Sequence, residues 1–414
     1  MKIVSLSTSD LNGGAAKAAF RHLKALQKSR IDCNMLVQEK KSDNQYVKGP
    51  ITKLQKGINV LHPEFDQIPV RFYKSRMFGV FSSAWWPNKT LKRILAEEPD
   101  IINLNWISGG FIRIESLSNL KIPIVWTLHD MWPFTGGCHY SGNCEKYFNE
   151  CGGCPQLKSN KMNDLSHSIW KRKQRAWEKL NLTVVSPSRW LASCAKRSSL
   201  FKNYPIEVIP YCIDLDRFAP TDKIHARKLL GLPKEKKLIL FGAMSATSDP
   251  RKGFGFLQEA LQYLYKKNQE LAEIVIFGSS GPKSSQGLGL KKHYFGTLYD
   301  DISISLLFTA CDVFAAPSIE DNLPLTVMEA LSCGTPCVAF DIGGMPDMIE
   351  HKINGYLAKS FETEDLANGI NWVLEDKTRS YDLSLSARAK AEKEFSEERI
   401  AKRYTKLYED LLGK

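Results

Sequence analysis

Two carboxylates eight residues apart, Asp321 and Glu329, bracket a proline and the start of a helix-like run that ends at a glycine. The segment reads Pro317-Ser318-Ile319-Glu320-Asp321-Asn322-Leu323-Pro324-Leu325-Thr326-Val327-Met328-Glu329-Ala330, closed by Gly334-Thr335-Pro336. Pro324 suits the first helical position, where no amide hydrogen is needed, and Gly334 suits a left-handed stop. The amides of Leu325 and Thr326, with the helix dipole behind them, then face an anion such as a diphosphate. Asp321 and Glu329 can accept hydrogen bonds from vicinal hydroxyls, with Glu320 a rival for Asp321 and with Asn322 and Leu323 completing the loop. This is chemistry for binding a nucleotide sugar. The plainer alternative is a capped helix with an acidic lead-in.

Other segments offer matching chemistry. Gly13-Gly14, between the first strand and first helix, lets backbone amides approach a phosphate or sugar, although a tight turn needs glycine anyway. His129-Asp130 ends a strand, where parallel sheets keep ligand groups; His129 can donate to a sugar hydroxyl, and Asp130 can orient it or take a proton. Arg251-Lys252 precedes a helix and suits the charge that develops on a departing diphosphate, the alternative being two solvated cations on a turn. Gly242, Gly278 and Gly296 close strand-then-glycine turns of low specificity. Gly287-Leu288-Gly289 lacks the strand and helix flanks of a dinucleotide fingerprint.

Cys138, Cys144, Cys151 and Cys154 cluster among glycines. Four thiolates suit a closed tetrahedral zinc site that stiffens the loop after His129; disulfides, an iron-sulfur cluster and reduced thiols are the alternatives. Two basic, aromatic stretches, Arg71 to Phe78 and Trp170 to Trp177, suit either an anionic membrane surface or core packing with a solvated basic face.

The elements that must position these groups follow from pattern. Apolar runs alternate with helical segments, which argues for an α/β chain with parallel sheets. One series runs through residues 2–7, 33–37, 101–105, 124–128 and 182–186; a second runs through 238–242, 273–277, 312–316, 337–340 and 355–357. Two doubly wound domains are expected, over residues 1–205 and 206–395, with a C-terminal helix over 396–414. The 414 residues carry a net charge of +12, with 43% hydrophobic and 25% charged residues, an ordinary globular composition. Residues 1–205 hold 31 Lys+Arg against 15 Asp+Glu, and the remainder 26 against 30, so the first half owns the basic excess. That half suits phosphorylated substrates or anionic membranes; no nucleic-acid module is recognisable. No run approaches the roughly 18 apolar residues of a spanning helix, and the first residues lack signal-peptide flanks, so a cytoplasmic location is expected.

The pattern from Pro317 to Pro336 resembles the donor signature of retaining glycosyltransferases of family 4, which have the GT-B fold. The resemblance covers nearly the whole chain. It implies two Rossmann-like domains facing a cleft, a final helix returning to the first domain, and transfer from a nucleotide diphosphate sugar. By resemblance, Glu329 holds the ribose diol and Asp321 the transferred sugar, where most members carry Glu. His129 lines the sugar pocket, and Gly13, Gly14, Gly242, Gly278 and Gly296 border the substrates. Lys252 matches the family lysine, whereas Ala243 stands at the arginine position and Arg251 is expected to replace it. Cys212 replaces a glycine of the interdomain segment. No divalent metal is expected for chemistry. The run from Cys138 to Pro155 resembles bacterial exopolysaccharide transferases of colanic-acid type, which implies a lipid-linked glycan acceptor and a peripheral place on the inner membrane face. The rival functions are a non-hydrolysing nucleotide-sugar epimerase and a non-catalytic basic adaptor.

Overall fold

The computed structural model describes residues 1–77, 79–87, 90–243, 248–267, 272–279 and 290–413. They form two compact units, Met1–Pro210 with Ile400–Lys414, and Tyr211–Arg399. The first is built on seven strands: β1 (Lys2–Ser9), β2 (Asp32–Glu39), β3 (Val47–Lys48), β4 (Ile101–Leu104), β5 (Ile124–Thr127), β6 (Leu182–Ser186) and β7 (Ile206–Val208). Their order is β3-β2-β1-β4-β5-β6-β7, and every pairing is parallel. The inner strands are apolar on both faces because helices cover both sides: Ile3, Val4, Leu6, Ile102 and Leu104 are all fully buried.

The second unit repeats the plan with β8 (Lys237–Gly242), β9 (Ala272–Phe277), β10 (Lys292–Tyr294), β11 (Val313–Ala316), β12 (Cys337–Phe340) and β13 (Gly355–Ala358), ordered β10-β9-β8-β11-β12-β13. These pairs are also parallel. Both units are therefore α/β and Rossmann-like. In each sheet the order reverses between two central neighbours, β1 and β4 in one and β8 and β11 in the other. Crossovers leave such a pair in opposite directions, and the loops at their carboxyl ends diverge to leave an opening.

Three strands escape the sequence pattern: β3, β7 and β10, each of two or three residues. They lie at or near sheet margins and present mostly half-buried or exposed residues, so no apolar run marks them.

The last helix, Glu397–Leu412, packs into the first unit through Ile400, Ala401, Tyr404 and Tyr408. Its tyrosines reach the sheet's polar interior. Asn103 Nδ2 donates to Tyr408 Oη at 3.0 Å, and Tyr404 Oη lies 3.0 Å from Thr127 Oγ1. The His22 ring lies 4.0 Å from that of Tyr404, and its Nδ1 is 3.3 Å from Asn103 Nδ2. These contacts brace β4 and β5 just before the residues that follow their carboxyl ends. Among the described residues, no helix is long and apolar enough to cross a membrane.

Burial lowers the His22 pKa to about 3, with His129 contributing. The unfolded chain takes up a proton near pH 6.5 that folded His22 refuses until about pH 3. Stability therefore falls as pH drops through that window, because the unfolded state binds more protons. We predict a urea midpoint that declines from pH 6.5 toward pH 4 and a shallower decline for His22→Asn; equal slopes in the two proteins would remove His22 as a cause.

Candidate functional site

The second unit gathers its candidate residues at the β8/β11 opening. The loop after β8 ends in a short turn, Pro250–Lys252, capped by Asp249, whose side chain accepts from Arg251 N at 3.0 Å. The loop after β11 carries Asp321. The two loops are latched through backbone, with Ile319 N donating to Arg251 O at 2.8 Å. Gly253 sits at φ +70°, and a Cβ there would lie 1.8 Å from Pro317 O, so only glycine lets the loops approach.

Charge completes the latch. Lys252 Nζ donates to Asp321 Oδ2 at 2.7 Å, with the two side chains 21% and 10% exposed. Asp321 also receives Ser318 Oγ at 3.3 Å and the amide of Asn322 at 3.1 Å. From behind, Gly344 N donates to Asp321 O at 3.1 Å, and Gly343 at φ +53° leaves room for that carbonyl. Arg251 takes a different partner: its Nη2 pairs with Asp249 Oδ2 at 2.7 Å. Both cations of the loop are thus held by carboxylates, one of them across to the neighbouring loop.

The helix after this loop spans Leu325–Ser332. Pro324 is its N-cap, at φ −64° and ψ 124°, and not its first helical residue as its type suggested. Pro324 O accepts from Val327 N and Met328 N, which leaves the amides of Leu325 and Thr326 ahead of the ladder. Glu329 lies farther along and is only 4% exposed; Asn322 and Leu323 are buried, while Glu320, Leu325 and Thr326 are half-buried. Gly334, at φ +70°, ends the helix as expected.

Gly242, Gly278 and Gly296 meet at the β8/β9 edge of the opening. Gly242 pairs in register with Phe277, whose ring occupies the space a Cβ would need. Gly278, at φ +80°, abuts Ala243 O and donates to Gly296 O at 2.6 Å. Close backbone packing is the direct reason for these glycines. Residues 244–247 and the Gly287-Leu288-Gly289 segment lie outside the described residues.

In the first unit, His129 and Asp130 follow β5. His129 Nε2 lies 3.1 Å from Asn105 Oδ1, and Asn105 Nδ2 donates to Ser5 Oγ at 3.0 Å. Burial lowers the His129 pKa to about 4, Asp130 opposing this, so the ring is neutral at pH 7. Asp130 does not serve as its hydrogen-bonding orienter. Its Oδ2 is 2.7 Å from His139 Nδ1 and accepts from Trp106 Nε1 at 2.8 Å, while Oδ1 accepts from Trp132 N at 2.9 Å. Burial disfavours the Asp130 charge, but His139 and these hydrogen bonds outweigh it and hold the pKa below the usual carboxylate value. Asn105 and His139 were missed because their roles depend on partners 24 and nine residues away. Gly13, at φ +99°, precedes helix Gly14–Lys28, and a Cβ at either glycine would meet nothing within 4 Å.

Cys138, Cys144, Cys151 and Cys154 line one small cavity with Thr135 and Tyr147. All four are free thiols, so the disulfide alternative is not realised. Burial raises the pKa of Cys138 and Cys154, and that of Cys151 to about 12. Cys151 Sγ accepts from Gly136 N at 3.1 Å. Among the described residues, no three His, Cys, Asp or Glu side chains are arranged to hold a metal ion, so the expected zinc site has no ligand set here. Nearby Lys173 is fully buried, donating to Thr135 O at 3.0 Å and to Trp132 O, with Nζ 3.8 Å from the Trp132 ring centre.

Comparison with known proteins places this geometry in context. Residues 12–217 match the model of Glycosyltransferase Family 4, and residues 222–393 that of Glycosyl transferases group 1. A D-inositol 3-phosphate glycosyltransferase of Saccharomonospora viridis is 29% identical over 216 residues, covering 49% of each chain. The match thus spans about half the length of that relative. An N,N'-diacetylbacillosaminyl-diphospho-undecaprenol alpha-1,3-N-acetylgalactosaminyltransferase of Campylobacter jejuni is 33% identical over 120 residues, 29% of this chain and 31% of the relative. Among solved structures, sucrose-phosphate synthase of Thermosynechococcus elongatus aligns over 100% of both chains with a TM-score of 0.70 and 18% identity. Anabaena HepE in complex with UDP-glucose aligns over 99% of this chain and 100% of its own, with a TM-score of 0.66 and 17% identity. At those identities the structural likeness establishes fold alone.

The backbone latch gives a direct prediction. Gly253→Ala should lower stability by about 1–3 kcal/mol in urea denaturation, since its Cβ meets a carbonyl and its φ is left-handed. Gly255→Ala, whose Cβ meets nothing within 4 Å, should change stability by less than about 0.5 kcal/mol. Equal effects would mean that the loops are not locked at Gly253.

Proposed function

Because the chain belongs to the GT-B glycosyltransferases, with a family 4 domain followed by a group 1 domain, we propose that it moves a sugar, with retention, from a nucleotide diphosphate donor to a lipid-linked cell-surface glycan. The observation that carries the donor half is the meeting of Lys252 and Asp321, at 2.7 Å, in the loop that leads into a helix whose Leu325 and Thr326 amides lie ahead of its ladder.

The charges suggest how the site would work. Lys252 neutralises Asp321 in the free protein; an arriving diphosphate competes for that ammonium and for the helix amides. Asp321 then accepts from a sugar hydroxyl, as the Lys252 charge shifts toward the phosphates. Glu329, buried on the same helix, accepts from the ribose diol. Arg251, held by Asp249, adds positive charge at the departing diphosphate, where developing charge most needs stabilisation. His129, neutral at pH 7, hydrogen-bonds the sugar without adding charge. The two cations supply the role that a divalent ion would otherwise fill.

HepE, which shares the fold, is described as a complex with UDP-glucose, which supports a nucleotide-sugar donor. The Campylobacter relative, named for a diphospho-undecaprenol acceptor, supports a lipid-linked glycan. The basic first half suits such an acceptor, and with it a cytoplasmic enzyme working on the inner face of a membrane.

A donor screen against uridine and guanosine diphosphate sugars, read by thermal shift, tests the substrate class. For the donor found, Glu329→Ala should weaken binding by about tenfold or more through loss of a charge-assisted hydrogen bond. Lys252→Met should lower kcat/KM by about 10² to 10³ through lost stabilisation of the leaving group. Unchanged binding and turnover in both variants would overturn these roles, and turnover of the donor without any acceptor would favour an epimerase.

A further inference from the structure

Helix Lys53–Arg71 in the first unit carries an apolar stripe that its own fold leaves uncovered except at Phe65, which stacks on Trp86 at 4.4 Å. Ile51, Leu54, Ile58, Leu61, Ile68 and Phe72 are 88%, 74%, 44%, 49%, 37% and 82% exposed. With half-buried Phe65 they recur in steps of three and four residues, the spacing of a single helical face. The helix is attached to its unit by a different face, through His62, Asp66 and Val70. Every residue from 51 to 58 is exposed, yet the helix start is well formed: Thr52 Oγ1 accepts from Gln55 N at 3.2 Å and Gln55 Oε1 from Thr52 N at 3.3 Å. A capped helix that projects an apolar stripe into water is built to be covered.

Its charges favour one kind of cover. Lys53, Lys56, Arg71, Lys74 and Arg76 are exposed around or just beyond the stripe. Of the acids between residues 51 and 77, Asp66 is buried and Glu64 is paired with Arg71. Pro63 and Pro69 interrupt the helix interior, and each removes a backbone donor. That disfavours the regular side-by-side helices of a coiled-coil dimer, despite the heptad-like spacing. A lipid surface needs no regular partner and rewards apolar side chains flanked by cations.

We propose that helix Lys53–Arg71 lies on an anionic bilayer surface, with its Ile51–Phe72 stripe among the acyl chains and its cations at the headgroups. The proposal rests on the inner-face placement proposed above and names the surface that makes the contact, but it does not depend on sugar transfer, since neither donor nor acceptor takes part in it.

The test is cosedimentation of the full chain with vesicles of phosphatidylcholine alone or mixed with phosphatidylglycerol, with no substrate present. The expected result is binding to the mixed vesicles that weakens with salt, and at least about tenfold weaker binding to the neutral ones. The triple variant Leu54→Ser, Ile58→Ser, Leu61→Ser and the double variant Lys53→Glu, Lys56→Glu should each lose about tenfold or more in binding to the mixed vesicles. Their melting temperatures and donor-induced thermal shifts should stay at wild-type values, because the altered side chains are exposed. Unchanged vesicle binding in both variants would overturn the proposal. So would a concentration-dependent dimer that the triple variant abolishes, in a protein that ignores vesicles. Loss of donor response in the wild type would count against the transfer reaction and leave the membrane contact standing.

Discussion

Two parallel strands whose crossovers depart in opposite directions send their following chain to opposite faces of the sheet and leave an opening at their carboxyl ends, and this constraint sets the plan of both units. In the second unit it opens the space between β8 and β11, and the chain then closes that space only partly. Backbone does most of the closing: Ile319 N on Arg251 O, Gly253 against Pro317 O, and Gly344 N on Asp321 O. The side-chain pair Lys252–Asp321 spans what is left. The pair is largely buried, so its attraction is offset by the desolvation of both charges, and removing either partner would leave the other unpaired.

The first unit handles charge differently, where the loops after β4 and β5 meet. There Asp130 is buried under His139, Trp106 and the Trp132 amide, while His129 is kept neutral and set through Asn105 and Ser5. A buried carboxylate with three partners is expensive to disturb, since losing a partner leaves charge unpaired. Asp130 thus reads as a brace that ties the loop carrying His139 to the strand end carrying His129. The cysteine-lined cavity follows in the same loop, where burial raises the pKa of Cys138, Cys151 and Cys154.

Much of this was legible in the residues. Ten strands, all inner except β13, announced themselves as apolar runs because helices bury both faces of a parallel sheet, whereas β3, β7 and β10 were too short and too exposed to leave such a trace. The helix after Asp321 was signalled by Pro324 and Gly334, residues with restricted or special backbone freedom, although Pro324 proved to be the cap. The family resemblance rested on the same local signals.

Sequence alone determined what is local: which segments are strands or helices, where glycine must relieve a backbone, and that Asp321 and Glu329 share one loop and helix. Tertiary structure decided the pairings. Asp130 turned from its neighbour His129 to His139, Arg251 settled on Asp249, and Lys252 reached across 69 residues to Asp321. The reason is physical: a charge takes the partner that burial and loop geometry bring within hydrogen-bond distance, and that distance is set by the sheet, not by position along the chain.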